Sequence, residues 1–441
     1  MLSADRRCLV YRKIEEKLKE WKVSPFRKPL VVQGARQVGK TYSITEFGEK
    51  NYDNVAYFNF QTNTALNRTF EESIEPSYLI PILSRLSNQT IIKERTLIVF
   101  DEVQLCDRAL TSLKYFCEQA PEYHVIAAGS LLGVAVNRKE NSFPVGKIDR
   151  LTMYPLDFEE FLFAMGEGEL AAEIRTHFNE KSSFPQVVHE QALKLYRYYL
   201  TVGGMPEAVS RYAVTKNMTM VSQIHDAILM DYLDDMSKYQ NNASDISKTR
   251  LTYNTIGVQL SKTNTRFVYK LLKKGARASE FENAIEWLTL AGIVSRINRV
   301  DDVRKPLENY KDIDAFKIYL SDVGLLCSQN RVFHDDVIYE NSELDAFKGG
   351  MTENYVNMQL IANGYRPYYF AIEGKAEIDF LIEKEGNVIP IEVKSSEHTR
   401  SKSLNYYMDN YHPDFAVRIS TKNFGNENGI VSVPLYAVFC I

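Results

Sequence analysis

The chain has 441 residues, of which 45% are hydrophobic and 25% charged, a balance typical of a folded protein with two to four domains. Its formal net charge is −4, so the molecule as a whole is not a general polyanion binder, and contact with nucleic acid would need a local basic patch. Five scattered cysteines favour a reducing compartment, and no stretch predicts a signal peptide or a membrane helix, so we expect a cytoplasmic protein without a membrane partner.

The first predicted element is a short buried strand at 30–33, followed by a glycine-containing loop and a helix. The loop fits the phosphate-binding pattern G-x-x-x-x-G-K-[ST] and consists of Gly34, Ala35, Arg36, Gln37, Val38, Gly39, Lys40 and Thr41. Its backbone N–H groups and the helix N-terminus are suited to bind nucleotide phosphates. We expect Lys40 to reach the β- and γ-phosphates of ATP and Thr41 to bind Mg²⁺.

Three more strands are predicted at 54–58, 96–100 and 125–128. The second is an apolar run that ends in Asp101 and Glu102, as expected of a central parallel strand. Ligands of open α/β sheets gather at the carboxyl ends of strands, so Asp101 is expected to hold Mg²⁺ through water and Glu102 to polarise the attacking water. The third strand leads to Ser130, which is placed to sense the γ-phosphate or to position that water.

These strands resemble the core of AAA-type ATPases, in which a catalytic glutamate likewise follows the magnesium aspartate. The resemblance implies a P-loop parallel sheet and ATP hydrolysis, and residues 150–154 supply a plausible fifth strand. Hydrolysis also needs a positive charge at the transition state, often from an arginine finger. Arg138, Lys147 and Arg150 are candidates among which the sequence does not choose, and a finger acting in trans would require a homo-oligomer.

After the segment 154–162 the pattern becomes helical, with apolar residues at three- and four-residue intervals over 187–202 and 221–236. The segment 203–206 between them resembles the Gly-x-Pro element of signalling and defence ATPases. That resemblance implies that Gly204 and Pro206 lie against the adenine. A helix break followed by proline at a helix start explains the same residues, and both interpretations stay open.

Residues 246–300 predict short helices at 251–260 and 266–272, a third helix from Ser279 and a strand at 293–297. Three helices and a strand resemble a winged helix. Basic side chains that can contact phosphates are Lys270, Lys273, Lys274, Arg277, Arg296 and Arg299. The third helix carries acidic residues that repel DNA, namely Glu280, Glu282 and Glu286. The module is therefore predicted to bind either protein or DNA.

The carboxyl-terminal part predicts an antiparallel hairpin with strands at 377–382 and 388–394. If Glu385 and Gly386 form a two-residue turn, Asp379 lies opposite Glu392, and Lys394 shares the face of Glu392. Such a cluster can hold Mg²⁺ and activate water against a phosphodiester.

The hairpin resembles the PD-(D/E)xK nuclease fold, with Glu353, Asp379, Glu392 and Lys394 at its four motif positions. The resemblance implies that Asp379 and Glu392 bind metal, that Lys394 orients hydroxide or stabilises charge on the phosphate, and that Glu353 joins from the side. Domains of this fold can also keep these residues for binding alone.

As a whole, the chain resembles AAA-type ATPases of bacteria and archaea that end in a nuclease-like domain of unknown function. Further marks of this resemblance are 156–161 and 319–326. We expect an ATPase core at 1–160, a helical lid at 161–245, a winged-helix-like module at 246–335 and a nuclease-like domain at 336–441. The predicted function is an ATPase coupled to a DNA-processing or DNA-binding domain, and the alternative is a nucleotide-switched interaction or signalling protein without nuclease activity.

Overall fold

The computed structural model describes residues 11–130, 144–238, 240, 242–262, 265–339, 345–396 and 402–441. Contacts divide the chain into two compact units. The N-terminal unit comprises Arg12–Tyr154 and Leu290–Ile293, and the C-terminal unit comprises Pro155–Thr289 and Val294–Ile441 together with Tyr11. None of the described helices combines the length and the apolarity that a bilayer crossing requires.

The N-terminal unit is built on a five-stranded, fully parallel sheet with the order β2-β3-β4-β1-β5. Its strands are β1 Leu30–Gln33, β2 Asn54–Asn59, β3 Thr96–Asp101, β4 His124–Gly129 and β5 Asp149–Thr152. Every residue of β3 and β4 is buried, as expected for central strands that are covered on both faces. The predicted parallel α/β core is therefore confirmed.

Among the described residues, five helices flank this sheet. They are α1 Ile14–Val23, α2 Lys40–Asn51, α3 Thr64–Glu72, α4 Pro76–Ser87 and α5 Asp107–Gln119. On one face of the sheet, Phe100 packs edge-on against Phe70 and Phe116 and contacts Phe60. This aromatic core anchors β3, the strand that ends in Asp101.

The described part of the C-terminal unit contains helices that cover the predicted segments 187–202 and 221–236, together with others. They are α6 Phe158–Met165, α7 Gly168–Glu180, α8 Gln186–Val202, α9 Pro206–Thr215, α10 Met218–Lys238, α11 Ala243–Asn254, α12 Ile256–Leu260, α13 Ala278–Leu290, α14 Val323–Gln329, α15 His334–Ile338, α16 Asp345–Ala362 and α17 Lys402–Tyr411. Asp157 starts α6 with a capping box, because its side chain accepts the Glu160 N–H while the Glu160 side chain accepts the Asp157 N–H.

An eight-stranded mixed sheet forms the other part of this unit, with the order β12-β13-β11-β10-β9-β8-β6-β7. Its strands are β6 Val294–Val300, β7 Lys311–Leu320, β8 Tyr368–Ile372, β9 Ala376–Lys384, β10 Asn387–Val393, β11 Ala416–Ser420, β12 Gly425–Glu427 and β13 Ile430–Pro434. The sheet thus includes strands from both sides of the domain boundary predicted after residue 335, and the four-part division stays a prediction.

One predicted helix is wrong. The segment 266–272 contains only a three-residue 3₁₀ turn at Tyr269–Leu271. Tertiary hydrogen bonds fix the chain before that turn, because the Phe267 N–H donates to the Phe316 carbonyl and the Val268 N–H donates to the Gln259 side chain. Val268 accordingly has an extended backbone, with φ −121° and ψ 106°, which interrupts a helix over 266–272.

Candidate functional site

The glycine-containing loop leaves β1 through a conformation that a side chain would block. A Cβ on Gly34 would lie 2.1 Å from the Met153 carbonyl oxygen, and Gly34 has a φ of 150°. Gln37 and Gly39 also have positive φ values, of 65° and 90°. Left-handed residues in such a turn favour a concave array of backbone N–H groups that binds anions, and α2 begins directly after it.

Thr41 and Asp101 meet at the carboxyl edge of the parallel sheet. The Thr41 hydroxyl donates to Asp101 Oδ2 at 2.8 Å, although 60 residues separate them. Tyr57, on the adjacent strand β2, donates its hydroxyl to the same oxygen at 2.6 Å. The Glu102 N–H donates to the other oxygen, Oδ1, at 3.0 Å. A hydroxyl and a carboxylate in contact are the hard oxygen ligands that Mg²⁺ prefers, so the residues present fit this cation.

Lys40 is buried under the loop, where its ammonium donates to the carbonyls of Gly34 at 3.0 Å and Ala35 at 2.7 Å. Burial lowers the pKa of Lys40 to about 8, while Glu102 and Asp101 act in the opposite direction. A phosphate group beside this ammonium would favour its charged form.

Glu102 has a left-handed backbone, with φ 52° and ψ 37°, which is uncommon for a residue with a long side chain. Its carboxylate accepts a hydrogen bond from Gln104 Nε2 at 2.5 Å. Strained backbones of this kind concentrate at functional sites, where the surrounding structure holds them. Ser130 directly follows β4, which lies between β3 and β1, and its side chain is buried. The roles of Glu102 and Ser130 stay predictions.

The three candidates for an arginine finger lie in different surroundings. Lys147 pairs with Glu118 at 3.0 Å on the surface, and Arg150 lies on the edge strand β5. Arg138 falls outside the described residues. The choice between them stays open.

In the C-terminal unit, the segment at 203–206 is both a helix break and a helix start. Helix α8 ends before Gly203, whose φ is 67°, and Pro206 occupies the first turn of α9. The helix-break interpretation is therefore confirmed, and the contact of Gly204 and Pro206 with adenine stays a prediction. Gly204 is buried, and it leaves no space for a side chain, since a Cβ on it would lie 2.0 Å from the carbonyl oxygen of Leu156.

Asp322 joins three separate segments of the unit. Its Oδ2 accepts the Gly204 N–H at 2.6 Å and its Oδ1 accepts the Leu325 N–H at 2.9 Å, while the Leu156 N–H donates to the Gly204 carbonyl at 2.7 Å. Burial raises the pKa of Asp322 to about 6, although its backbone hydrogen bonds oppose the shift. The segment 319–326 is thus linked to 203–206 through the Asp322 carboxylate, and 203–206 is linked to Leu156 through the Gly204 carbonyl.

The hairpin forms with the predicted register. Asn387 pairs with Lys384 and Ile391 with Phe380, so the continuing register places Glu392 opposite Asp379. Glu385 and Gly386 form the two-residue turn with φ values of 49° and 80°, as a type I′ turn requires. The Val393 N–H donates to Asp379 Oδ2 at 2.7 Å.

A fully buried lysine lies beside these carboxylates. Lys317 Nζ is 2.8 Å from Glu377 Oε1 and 3.4 Å from Glu353 Oε2, and it lies 5.0 Å from the centre of the Tyr369 ring. Burial by itself would lower the pKa of Lys317, but Glu353, Tyr319 and Glu377 outweigh it and hold the pKa well above its ordinary value. The charged form of Lys317 is therefore favoured beside the carboxylates of Glu353 and Glu377.

The motif residues have different environments. Glu392 is buried, with Lys394 Nζ 3.2 Å from its Oε1 and no hydrogen-bond partner on Oε2 among the described residues. Burial raises the pKa of Asp379 to about 7, and the neighbouring charge of Glu353 adds to that shift. Across the part of the chain that the structure describes, no three metal-ligating side chains form a ready-made metal site. Asp379 and Glu392 nevertheless fit Mg²⁺, which proteins often hold through one or two carboxylates and substrate phosphates.

The sequence analysis missed Tyr57 and Lys317. The sequence indicated both, because Tyr57 places a hydroxyl in an otherwise largely apolar strand and Lys317 places a charge in the apolar segment 315–320. All residues of 315–320 are buried, and a buried charge needs a partner of opposite charge, so the position of Lys317 indicated nearby carboxylates.

The parallel sheet, the phosphate loop and the contact between Thr41 and Asp101 define a P-loop ATPase domain of the AAA type. Residues 26–162 match the family described as "AAA domain". Two further families match later parts of the chain and are described as domains of unknown function, DUF8612 over 193–336 and DUF4143 over 348–438. No curated protein matches the chain.

Among solved structures, the chain is similar to the Aeropyrum pernix ORC2 protein in its ADPNP-ADP complexes, with 12% identity, 78% of this chain and 100% of that chain covered, and a TM-score of 0.38. It is also similar to the Aeropyrum pernix ORC1 protein in complex with DNA, with 13% identity, coverage of 73% and 93%, and a TM-score of 0.30. Cdc6p from Pyrobaculum aerophilum shows 12% identity, coverage of 74% and 92%, and a TM-score of 0.26. Likeness at this level is too distant to transfer the role of any residue.

Proposed function

We propose that this protein binds ATP with Mg²⁺, hydrolyses it, and couples that reaction to a nuclease-like domain that acts on DNA. The observation that carries the ATPase part is the 2.8 Å contact between the Thr41 hydroxyl and Asp101. It brings together, at one sheet edge, the two side chains that P-loop enzymes use to hold Mg²⁺. The free thiols of Cys106, Cys117, Cys327 and Cys440 support a reducing compartment such as the cytoplasm.

Each residue has a distinct task in this proposal. The loop N–H groups hold the phosphates, and Lys40 exchanges its two carbonyl partners for phosphate oxygens. Thr41 and Asp101 would hold the cation, which would supply positive charge beside the phosphates. Glu102 orients and polarises the attacking water.

The ATPase part is tested by nucleotide binding and phosphate release. Lys40→Ala should weaken ATP binding by at least about tenfold, since an ammonium contact with phosphate is a charge-assisted hydrogen bond worth roughly 1.5–3 kcal/mol. Glu102→Gln should retain binding and lose about 10²- to 10⁴-fold in turnover, the usual contribution of a positioned general base.

Lys50→Ala is the matched control, because Lys50 lies on the same helix, is exposed, and within the described residues forms ion pairs with Glu46 and Glu15. Its binding and turnover should equal those of wild type. If Lys40→Ala bound ATP as tightly as Lys50→Ala, the ATP site proposed here would be refuted.

The DNA part is supported by a basic segment that begins beside the carboxylate of Glu353. Between 265 and 279 the chain carries five basic residues and no acidic one, and these are Arg266, Lys270, Lys273, Lys274 and Arg277. All five are exposed, and the first residue of the segment, Thr265, donates to Glu353 at 3.1 Å. Phosphates bound along this segment would lie close to the nuclease-like site.

Cleavage of linear, plasmid and single-stranded DNA with Mg²⁺ or Mn²⁺, with and without ATP, tests this part. Wild type should cleave at least one substrate, whereas Asp379→Asn and Lys394→Ala should lose cleavage and keep ATP turnover. Equal cleavage by Asp379→Asn and wild type would trace the activity to another site or to a contaminant.

The second candidate is a nucleotide-switched interaction protein without nuclease activity. The buried ammonium of Lys317 favours this alternative, because it stabilises the carboxylates of Glu353 and Glu377 without any metal. The acidic residues Glu280 and Glu286 are exposed on α13, which suits contact with a protein more than with DNA. ATP turnover without cleavage, together with a change in small-angle scattering on ATP binding, would identify this alternative.

A further inference from the structure

Late in the sequence, the chain returns to the N-terminal unit for four residues, Leu290–Ile293. This turn connects α13, which ends at Leu290, to β6, and the rest of both elements belongs to the C-terminal unit. Within the turn, Ala291 and Ile293 are only 2% and 3% exposed, so it is closely packed. The turn is therefore a long-range addition to the unit that carries the phosphate loop, residues 34–41.

Gly292 lies directly against the backbone of the phosphate loop. A Cβ on Gly292 would lie 3.1 Å from the Ala35 nitrogen and 3.6 Å from the Ala35 Cα and from the Gly34 carbonyl carbon. The first of these distances is shorter than ordinary van der Waals contact. Gly292 also has a φ of 72°, in the left-handed region that favours glycine. The turn reaches the loop this closely because residue 292 has no side chain.

The part of the loop beside Gly292 has little freedom to move away. The Lys40 ammonium holds the carbonyls of Gly34 and Ala35, at 3.0 Å and 2.7 Å. Gly34 is also confined by Met153, whose carbonyl oxygen lies 2.1 Å from the position of an added Cβ. A backbone held on several sides transmits a displacement instead of absorbing it. When Lys40 exchanges the two carbonyls for phosphate oxygens, Met153 and Gly292 remain as supports of this segment.

We infer that the turn Leu290–Ile293 is part of the nucleotide site, and that Gly292 is a positioning residue that acts on ATP through the backbone of Ala35. This inference rests on the ATP-binding part of the proposed function. The contact is with the loop that holds phosphates, whereas the proposed hydrolytic groups are Asp101 and Glu102. The turn therefore sets the affinity for nucleotide and not the rate of hydrolysis.

The test compares Gly292→Ala with Gly364→Ala. Both glycines stand two residues after the end of a helix, since α13 ends at Leu290 and α16 ends at Ala362. Both have a left-handed backbone, with φ values of 72° and 91°, so alanine carries similar strain at either position. A Cβ on Gly364 meets nothing within 4 Å, so the difference between the variants isolates the contact with Ala35.

Binding of the non-hydrolysable ATP analogue AMP-PNP with Mg²⁺ is measured by titration calorimetry on the full chain. Gly292→Ala should raise the Kd about five- to thirtyfold relative to Gly364→Ala, because the overpacked loop is displaced. Its turnover at saturating ATP should stay within about twofold of the control. Partial unfolding would instead lower the binding stoichiometry. Equal Kd values would overturn the inference and leave the ATP site intact, whereas a wild type that binds no AMP-PNP would overturn both.

Hydrogen–deuterium exchange of the wild type decides if circular dichroism shows that Gly292→Ala does not fold. AMP-PNP should slow exchange of the amides at 291–293 by at least about threefold, because the loop on which they pack becomes ordered, and should leave 363–365 unchanged. Slower exchange at 34–41 without a change at 291–293 would overturn the inference alone. No change at either segment would overturn the ATP site as well.

Discussion

Replacing Gly204 with alanine should destabilise the C-terminal unit severely, for a reason that is local and steric. The added Cβ would lie 2.0 Å from the Leu156 carbonyl oxygen, where ordinary contact begins near 3.4 Å, so one chain must move by about 1.4 Å. Such a shift strains the packing, at about 1–3 kcal/mol, and breaks the Gly204 hydrogen bond to the buried Asp322 carboxylate, at about 1.5–3 kcal/mol. We expect a loss of about 3–5 kcal/mol.

The chain has two tryptophans, one in each unit, and this allows a selective assay. In a Trp21→Phe background the fluorescence of Trp287 reports urea unfolding of the C-terminal unit. Gly349→Ala is the control, because a Cβ there meets nothing within 4 Å inside α16 and should stabilise by about 0.5–1 kcal/mol. A Gly204→Ala protein within about 0.5 kcal/mol of wild type would refute the close contact with Leu156.

Two further predictions concern single side chains. The pKa of Asp322 is raised to about 6 in the folded protein, so its contribution to stability is complete below about pH 4 and is lost as the pH rises to 6, by up to about 3 kcal/mol. Asp322→Asn should flatten that part of the stability curve in urea titrations at several pH values, and an unchanged slope would contradict the shift. Tyr57→Phe should leave ATP affinity unchanged and lower turnover about two- to tenfold, because Asp101 loses one neutral donor worth about 0.5–1.5 kcal/mol. Steady-state phosphate release with Tyr78→Phe as a surface control measures this, and wild-type turnover would mean that the Thr41 hydroxyl and the Glu102 N–H orient Asp101 without Tyr57.

Local signals predicted the N-terminal unit well. The loop at 34–41, the apolar strands and the carboxylates that follow them are all continuous in sequence, and the parallel sheet brings their ends together by topology. The turn at Glu385 and Gly386 likewise fixed the register that places Asp379 opposite Glu392.

Local sequence patterns did not predict the contacts between segments that are far apart in the chain. Lys317 meets a helix residue 36 positions later and a strand residue on β9, and Asp322 reaches back 118 positions to Gly204. No local periodicity encodes such pairings. The prediction of a helix at 266–272 failed for the same reason, since Phe267 and Val268 within that segment are held by hydrogen bonds to β7 and α12.

The strands of the two sheets are completed at different stages of chain synthesis. The five-stranded sheet has all its strands once residue 152 has been made, whereas the eight-stranded sheet gains its last strand only at Pro434. Until then a nascent chain carries β6 to β11 with an open edge, which is a template for pairing with other chains. A chain halted on the ribosome before β13 would therefore be prone to aggregate while its ATPase strands were already complete. Chaperones that shield exposed strand edges would act on that half of the protein.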